Sequence, residues 1–156
     1  MKRYLDLLAD ARTRVRELAP WDLRERLARE KDLLLLDVRE PQEFAALRIP
    51  GSCNVPRGIL EAACEWDFEE TDPVLVTGRD RPIVVICRSG YRSLLAADVM
   101  QQLGFARVVS LRAGLKGWND FDQRLVDAAG EPVDADLAET LLASKVRVDQ
   151  RRPRGS

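Results

Sequence analysis

The sequence predicts an α/β fold in which helices cover both faces of a mostly parallel sheet. The first observation is two continuous apolar runs of strand length, at residues 33–38 and 83–86. Apolarity that is continuous rather than alternating is typical of a strand buried on both faces, as in a parallel sheet. The second observation is that segments with helical apolar spacing lie between the strand-like runs. A length of 156 residues allows one domain with a proper core.

Charge and hydropathy argue against two classes of partner. The net charge of −1 offers a nucleic acid no global attraction, and no apolar run approaches the roughly 18–20 residues of a membrane helix. The first residues are basic, but acids follow before the apolar core of a signal peptide can form. We therefore expect a cytoplasmic protein with neither a nucleic-acid nor a membrane partner.

The cysteine and histidine content restricts the possible chemistry. The chain has three cysteines without C-x-x-C spacing, too few for a disulfide framework, and no histidine. The lack of histidine excludes Cys-His and Ser-His-Asp catalysis and every His-ligated metal site. A nucleophile in this chain must therefore be activated without imidazole.

Helix and strand patterns alternate from the N-terminus. Apolar spacing predicts a helix over residues 4–11, and residues 15–18 fit a short edge strand. Pro20 suits the first turn of a second helix. The run at 33–38 is rich in leucine, a weak strand former, so its periodicity leaves a helix open. The next elements are a helix that starts within 39–44, a turn at 49–52 and a very short strand at 53–55.

The second part of the chain contains the most strongly apolar strand. Before it, residues 57–81 are hard to interpret, with a helical turn near Leu60 and then an acidic loop. Strand 83–86 leads through a polar loop to a helix whose apolar pattern begins at Leu94 and which Gly104 is placed to end. A strand at 108–111, a helix around 118–121 and a helix near 137–142 follow. We divide the chain into an N-terminal helical extension (1–14), a main domain (15–129) and a C-terminal helix with a basic tail (130–156).

Cys87 directly follows the strand at 83–86, at the sheet edge where parallel α/β folds form their ligand sites. Gly90 allows the sharp turn into the next helix. Successive N–H groups in such a turn form an anion-binding nest, and the helix N-terminus adds about half a positive charge. Both effects favour a thiolate, so we predict that Cys87 is a nucleophile. The alternative for Cys87 is an inert core thiol at a strand end.

The side chains around Cys87 offer further contacts, each with a structural alternative. Arg88 and Arg92 can guide an oxyanion, although Arg88 can equally be solvated and Arg92 can bond loop carbonyls. Ser89 and Ser93 can donate to a bound sulfur or can cap the helix, and capping suits Ser93 better. Tyr91 is expected on the rim of the site.

The other two cysteines favour a structural interpretation. Cys53 lies in the short strand, and the alternation of side chains along this strand is expected to turn Cys53 inward. Cys64 lies in the segment that is hard to interpret, and a role as a second sulfur acceptor is its alternative.

Four blocks together resemble the single-domain rhodanese-like sulfurtransferases. Along the chain they are residues 36–44, 49–56, 87–93 and 109–118, and this is also their order in that family. The resemblance implies a three-layer α/β/α fold with a central five-stranded sheet. Two positions depart from the family pattern: Arg48 stands where histidine is usual, and Ala113 stands where the first of two glycines is usual.

The resemblance also implies a mechanism. The Cys87 thiolate attacks the outer sulfur of thiosulfate or another small anionic donor, and the resulting persulfide passes its sulfur to cyanide or a thiol. No metal and no organic cofactor is needed. Asp37 and Arg39 are expected to brace the loop through an ion pair, and Arg57 is a candidate for attracting the anionic donor.

Two other functions are alternatives to sulfur transfer. A related fold branch hydrolyses phosphate esters or reduces arsenate with a longer C-x5-R loop, whereas Arg92 gives C-x4-R here. A rhodanese-like binding or sulfur-carrier module that depends on a partner protein is the second alternative. A homodimer is also possible, because the apolar stripe of the C-terminal helix can dock on its own domain or on a second copy.

Overall fold

The computed structural model describes residues 1–155, and these form a five-stranded sheet in which every pair of neighbours is parallel. The strand order is β1-β5-β4-β2-β3. The strands are β1 Glu17–Leu18, β2 Leu34–Asp37, β3 Cys53–Asn54, β4 Ile83–Ile86 and β5 Val108–Leu111. The central strand β4 pairs with β2 and β5, so its carboxyl end lies in the middle of the sheet edge.

Eight α-helices connect and flank the strands in the described chain. They are α1 Tyr4–Arg12, α2 Pro20–Arg29, α3 Pro41–Ala46, α4 Leu60–Ala63, α5 Pro73–Val76, α6 Tyr91–Gln102, α7 Gly114–Asp120 and α8 Ala135–Leu142. Two 3₁₀ turns occupy Arg57–Ile59 and Val148–Gln150. Among residues 1–155, none of these helices combines the length and apolarity needed to cross a membrane.

Alternate residues of β4 face two separate apolar clusters. Ile83 and Val85 belong to the cluster that includes residues of α1, α4 and α6, whereas Val84 and Ile86 belong to the cluster with residues of α2, α7 and α8. All four side chains are buried, which explains the continuous apolar run in the sequence. The predicted three-layer α/β/α fold is confirmed.

Two elements differ from the sequence-based expectation. Helix α6 begins at Tyr91 rather than at Leu94, because Gly90 adopts a left-handed conformation, with φ 94°, that starts the helix at once. Within residues 57–81, the acidic segment is followed by α5, which the sequence did not predict. The amide of Val74 donates to the carboxylate of Asp72, which caps the N-terminus of this helix.

The C-terminal helix α8 docks on its own domain. Ala138 and Leu142 are buried, and the side-chain amide of Asn119 in α7 donates to the carbonyl of Ala135 at 3.1 Å. Of the two predicted positions for the apolar stripe of this helix, the structure therefore shows the intramolecular one.

Candidate active site

The sulfur of Cys87 lies in a cradle of backbone amides at the carboxyl end of β4. The amide of Gly90 donates to Cys87 Sγ at 3.1 Å, and the amide of Ser93 donates to it at 3.3 Å. The loop residues between the strand and α6 turn these N–H groups inward. Cys87 is only 1% exposed, so the amides, rather than water, solvate its sulfur. Such donors stabilise a negative charge on sulfur.

A pair of buried hydroxyl groups extends the cradle. Ser93 Oγ lies 3.3 Å from Cys87 Sγ and 2.8 Å from Ser110 Oγ, which comes from β5. When the sulfur is a thiolate, Ser93 can donate to it while Ser110 donates to Ser93. The capping interpretation of Ser93 is wrong, because Gly90 is the N-cap of α6 and Ser93 lies in its first turn. Ser89 is half-buried between Arg88 and Gly90.

Arg92 is tied to a carboxylate rather than to loop carbonyls. Its two terminal nitrogens donate to the two carboxylate oxygens of Glu43 in α3, at 2.8 and 3.0 Å. Burial raises the pKa of Glu43, but the hydrogen bonds from Arg92 and the Glu40 amide outweigh burial and leave this pKa below its ordinary value. The bond to Glu43 in turn raises the pKa of Arg92. The pair fixes α3 to the start of α6.

Asp37 and Arg39 form a buried ion pair at the carboxyl end of β2. Arg39 Nη2 donates to Asp37 Oδ2 at 2.8 Å and to the carbonyl of Leu47 at 2.7 Å. Arg39 also donates to the carbonyl of Glu43, so these side-chain bonds connect the end of β2 to α3 and the residue after it, and bracing of the cysteine loop stays a prediction. Arg57 does not stand alone either, because its Nη1 lies 2.6 Å from Oε1 of Glu61, one turn along the same segment.

Backbone amides in the first turn of α7 donate to carbonyl groups of the cysteine loop. The amide of Leu115 donates to the carbonyl of Cys87 at 2.9 Å, and the amide of Lys116 donates to that of Arg88 at 3.0 Å. This approach needs Gly114, because a Cβ there would lie 2.6 Å from the carbonyl carbon of Arg88 and still closer to the Cys87 oxygen. Ala113 tolerates φ 64° despite its side chain.

The guanidinium of Arg88 faces the C-terminal extension. Its Nη1 donates to the carbonyl of Leu142, the last residue of α8, at 3.2 Å. Nearby, a surface cavity between α7 and α8 is lined by residues such as Lys116, Asn119 and Glu139, and no residue of the cysteine loop lines it. The sulfur of Cys87 therefore does not line this cavity.

Tyr91, which the sequence analysis expects on the rim of the site, is the first residue of α6 and is 43% exposed. The ring of Tyr4 packs against it edge-on, with the two centroids 6.2 Å apart. Tyr4, Glu43 and Ser110 were not predicted as site residues. Glu43 and Ser110 lie inside the family-like blocks, which mark them only as part of a pattern, whereas nothing in the sequence places residue 4 beside residue 91.

The other two cysteines lie outside this cradle. Cys64 is 0% exposed, and burial raises the pKa of its thiol to about 11. Cys53 is half-buried, its Sγ lies 3.5 Å from the carbonyl oxygen of Leu35, and burial raises its pKa as well. These surroundings agree with the structural interpretation of both residues.

Comparison with known proteins identifies the family. Residues 20–121 match the rhodanese-like domain family, which is well over half of the chain. The chain therefore belongs to the rhodanese-like family, and the resemblance found in its sequence blocks is confirmed.

Sulfurtransferases are among its curated relatives. A sulfurtransferase of Allochromatium vinosum is 34% identical over 106 residues, which cover 67% of this chain and 88% of that protein. A putative mitochondrial thiosulfate sulfurtransferase of Schizosaccharomyces pombe is 34% identical over 105 residues, which cover 64% of this chain and 72% of that protein.

Solved structures agree on the fold. The human single-domain sulfurtransferase TSTD1 is 26% identical, with a TM-score of 0.59 over 67% of this chain and 95% of that one. A Rhodopseudomonas palustris protein of unknown function, described as a possible tyrosine phosphatase, is 26% identical, with a TM-score of 0.71 over 79% of this chain and 93% of that one.

Proposed function

We propose that this chain is a sulfurtransferase that carries a persulfide on Cys87. Thiosulfate or another sulfane donor supplies the sulfur, and cyanide or a thiol accepts it. The observation that carries the proposal is the pair of amides on Cys87 Sγ, at 3.1 and 3.3 Å. The sulfurtransferase relatives support the same chemistry.

The reaction has two balanced steps. The Cys87 thiolate attacks the outer sulfur of thiosulfate, forming a new S–S bond on Cys87 while the old S–S bond breaks and sulfite leaves with its electron pair. The acceptor then attacks the outer sulfur of the persulfide, and Cys87 leaves as a thiolate. Backbone N–H groups that already point into the loop stabilise the anion in both states without rearrangement. Neither step of this proposed reaction requires a metal ion.

Mass spectrometry of the intact protein tests the first step. After mixing with thiosulfate, we expect a mass increase of one sulfur, about 32 Da, located on the peptide that contains Cys87. Addition of cyanide should then remove this mass and release thiocyanate. An unmodified Cys87 after treatment with thiosulfate and with an organic persulfide would contradict the proposal.

A sulfur carrier that hands its persulfide to a partner protein is the second candidate. The supporting observation is a 32% identity over 95 residues to a putative sulfur carrier protein of Bacillus subtilis, covering 61% of this chain and 46% of that protein. A Cys87 persulfide that forms but does not turn over with cyanide or small thiols would favour the carrier. Steady turnover with small acceptors would favour the enzyme.

The phosphatase alternative has weaker support in the geometry. The name of the R. palustris protein raises it, but both terminal nitrogens of Arg92 are bonded to Glu43. In a phosphatase loop, the arginine that follows the cysteine must face the phosphate oxygens. Hydrolysis of a phenyl phosphate ester at a rate dependent on Cys87 would overturn this argument.

A further inference from the structure

Helix α1 lies outside residues 20–121 but is firmly attached to the helix that follows the cysteine loop. Leu8 and Ala11 are fully buried in the cluster that includes residues of α6. Arg14, just after α1, donates from Nε and Nη2 to the carboxylate of Asp98 at 2.8 and 2.9 Å, and its carbonyl accepts from Gln101. These contacts fix α1 along α6.

The two helices run in the same direction. Tyr4, at the start of α1, contacts Tyr91, at the start of α6, while Arg14 contacts Asp98 further along. The first residue of α1 is therefore held at the end of α6 that carries the cysteine loop. An element beyond the family-matched region thus contributes a side chain to the surroundings of Cys87.

The tyrosine pair presents aromatic surface to solvent near the nucleophile. Tyr4 is 49% exposed and Tyr91 is 43% exposed, although their rings contact each other edge-on. Tyr91 directly follows Gly90, whose amide donates to Cys87 Sγ, so the tyrosine pair lies beside the cysteine loop. Burial and then the nearby Cys87 raise the pKa of the Tyr4 hydroxyl. The Tyr4 ring is thus a neutral aromatic surface near neutral pH.

Three arginines that the sequence analysis considered for the site pair with carboxylates, and Arg88 donates to the carbonyl of Leu142. Arg92 pairs with Glu43, and Arg57 pairs with Glu61. Arg39 pairs with Asp37. A donor recognised by charge alone would have to compete with these carboxylates, whereas one with an organic group finds an exposed aromatic surface.

We propose that Tyr4 and Tyr91 form a subsite for the organic substituent of the sulfur compound that reacts with Cys87. The subsite favours organic sulfane compounds, aryl ones above all, over inorganic or small alkyl ones. This inference rests on the proposed sulfurtransferase function and deepens it, because it names the class of substrate. Both tyrosines are specificity-determining residues of this subsite, and they take no part in bond making.

Thiosulfonates provide a matched pair of probes. The Cys87 thiolate attacks the outer sulfur of the R–SO₂–S⁻ anion, the Cys87–S bond forms, the S–S bond breaks, and the sulfinate R–SO₂⁻ leaves with the electron pair. Benzenethiosulfonate and methanethiosulfonate carry the same charge and the same reacting sulfur. They differ only in the group that would occupy the subsite.

The experiment measures kcat/KM for both thiosulfonates with a cyanide acceptor, and takes their ratio for each variant. Relative to the natural chain, we expect Tyr4→Ala to lower the phenyl-to-methyl ratio about fivefold. Tyr4→Phe should keep the ratio, because the ring is retained. Leu5→Ala is the matched control: Leu5 is an exposed neighbour on the same helix, and its removal should leave the ratio unchanged.

The outcomes separate this inference from the proposed function. If Cys87 gains sulfur from both probes but Tyr4→Ala leaves the ratio unchanged, the subsite is wrong and the sulfurtransferase proposal stands. If neither probe nor thiosulfate loads Cys87, the proposed function fails and the subsite falls with it. If Tyr4→Ala lowers the unfolding temperature, Tyr4→Leu replaces it, and an unchanged ratio there overturns the subsite equally.

Discussion

Two buried cysteines of the same apolar cluster, Cys87 and Cys64, have different electrostatic surroundings. Cys87 is 1% exposed and Cys64 is 0% exposed, so burial does not distinguish them. Cys87 Sγ accepts two backbone N–H bonds, whereas burial raises the pKa of Cys64 to about 11. Desolvation penalises a thiolate only where no oriented dipole replaces the lost water.

The position of each cysteine relative to a helix explains the difference. Cys87 lies before the N-terminus of the 12-residue helix α6, and the amides of its N-cap Gly90 and of Ser93 in its first turn donate to the sulfur. Cys64 is the C-cap of α4, where carbonyl groups are exposed instead, and its own carbonyl accepts from Arg79 Nη2 at 2.8 Å. The direction of the backbone thus places N–H donors around the sulfur of Cys87 and puts Cys64 at the C-terminus of a helix.

The largest expected effect is on sulfur loading. Cys87→Ser should reduce the persulfide formed with thiosulfate by about 100-fold or more, because a hydroxyl is a poor nucleophile towards sulfane sulfur near neutral pH. Cys64→Ser is the matched control and should load normally if it remains folded. Intact mass measurements on both variants check this, and loading that follows Cys64 instead would reverse the comparison.

The backbone fit around Cys87 is the next target. Gly114→Ala should lower the free energy of unfolding by about 2–4 kcal/mol, because a Cβ collides with the carbonyl groups of Cys87 and Arg88 at a positive φ. Gly58→Ala is the control, since nothing lies within 4 Å of the Cβ it would add. Urea unfolding of both variants measures the difference, and equal losses would show that the close approach is not needed.

The hydroxyl pair behind the sulfur should have a smaller effect. In Ser110→Ala, Ser93 loses the partner that orients it, and we expect iodoacetamide to modify Cys87 about fivefold more slowly near neutral pH. Ser144→Ala, on the exposed surface, should not change this rate. An unchanged rate in Ser110→Ala would assign the stabilisation of the thiolate to the amides alone.

The smallest effect concerns the pair of Glu43 and Arg92. Glu43→Gln should lower the free energy of unfolding near neutral pH by about 1 kcal/mol. The pKa of Glu43 is lower in the folded chain than in the unfolded one. The stabilisation is therefore fully present above the unfolded value of about 4.3 and is lost as the pH falls through the folded value.

Urea unfolding near neutral pH and at about pH 3 follows this loss. The difference in stability between the natural chain and Glu43→Gln should shrink at the lower pH. Glu139→Gln, on an exposed position of α8, is the control and should differ little from the natural chain at either pH. A difference that grows on acidification would mean that Glu43 is not stabilised as a carboxylate.

The fold and the position of Cys87 at a strand end were predictable because their signals are local. A strand buried on both faces must be apolar throughout, so β4 was evident, as was the position of Cys87 at its end. The partner of Arg92 was not predictable, because Glu43 lies 49 positions away and the sequence equally allowed Arg92 to guide an oxyanion or to bond loop carbonyls. The sequence placed the start of α6 too late, at Leu94, because the first turn of this helix faces the sulfur and carries no apolar pattern.

By itself, the sequence determined the α/β architecture, the position of Cys87 between a strand and a helix, and the rhodanese-like family. The tertiary structure decided which side chains surround the sulfur: Ser110 from a neighbouring strand, the α7 amides that fix the loop, and Tyr4 from α1. The physical reason is that hydrophobic periodicity is written along the chain, residue by residue. Contacts between distant segments depend on how helices pack on the sheet, and a single sequence does not display that packing.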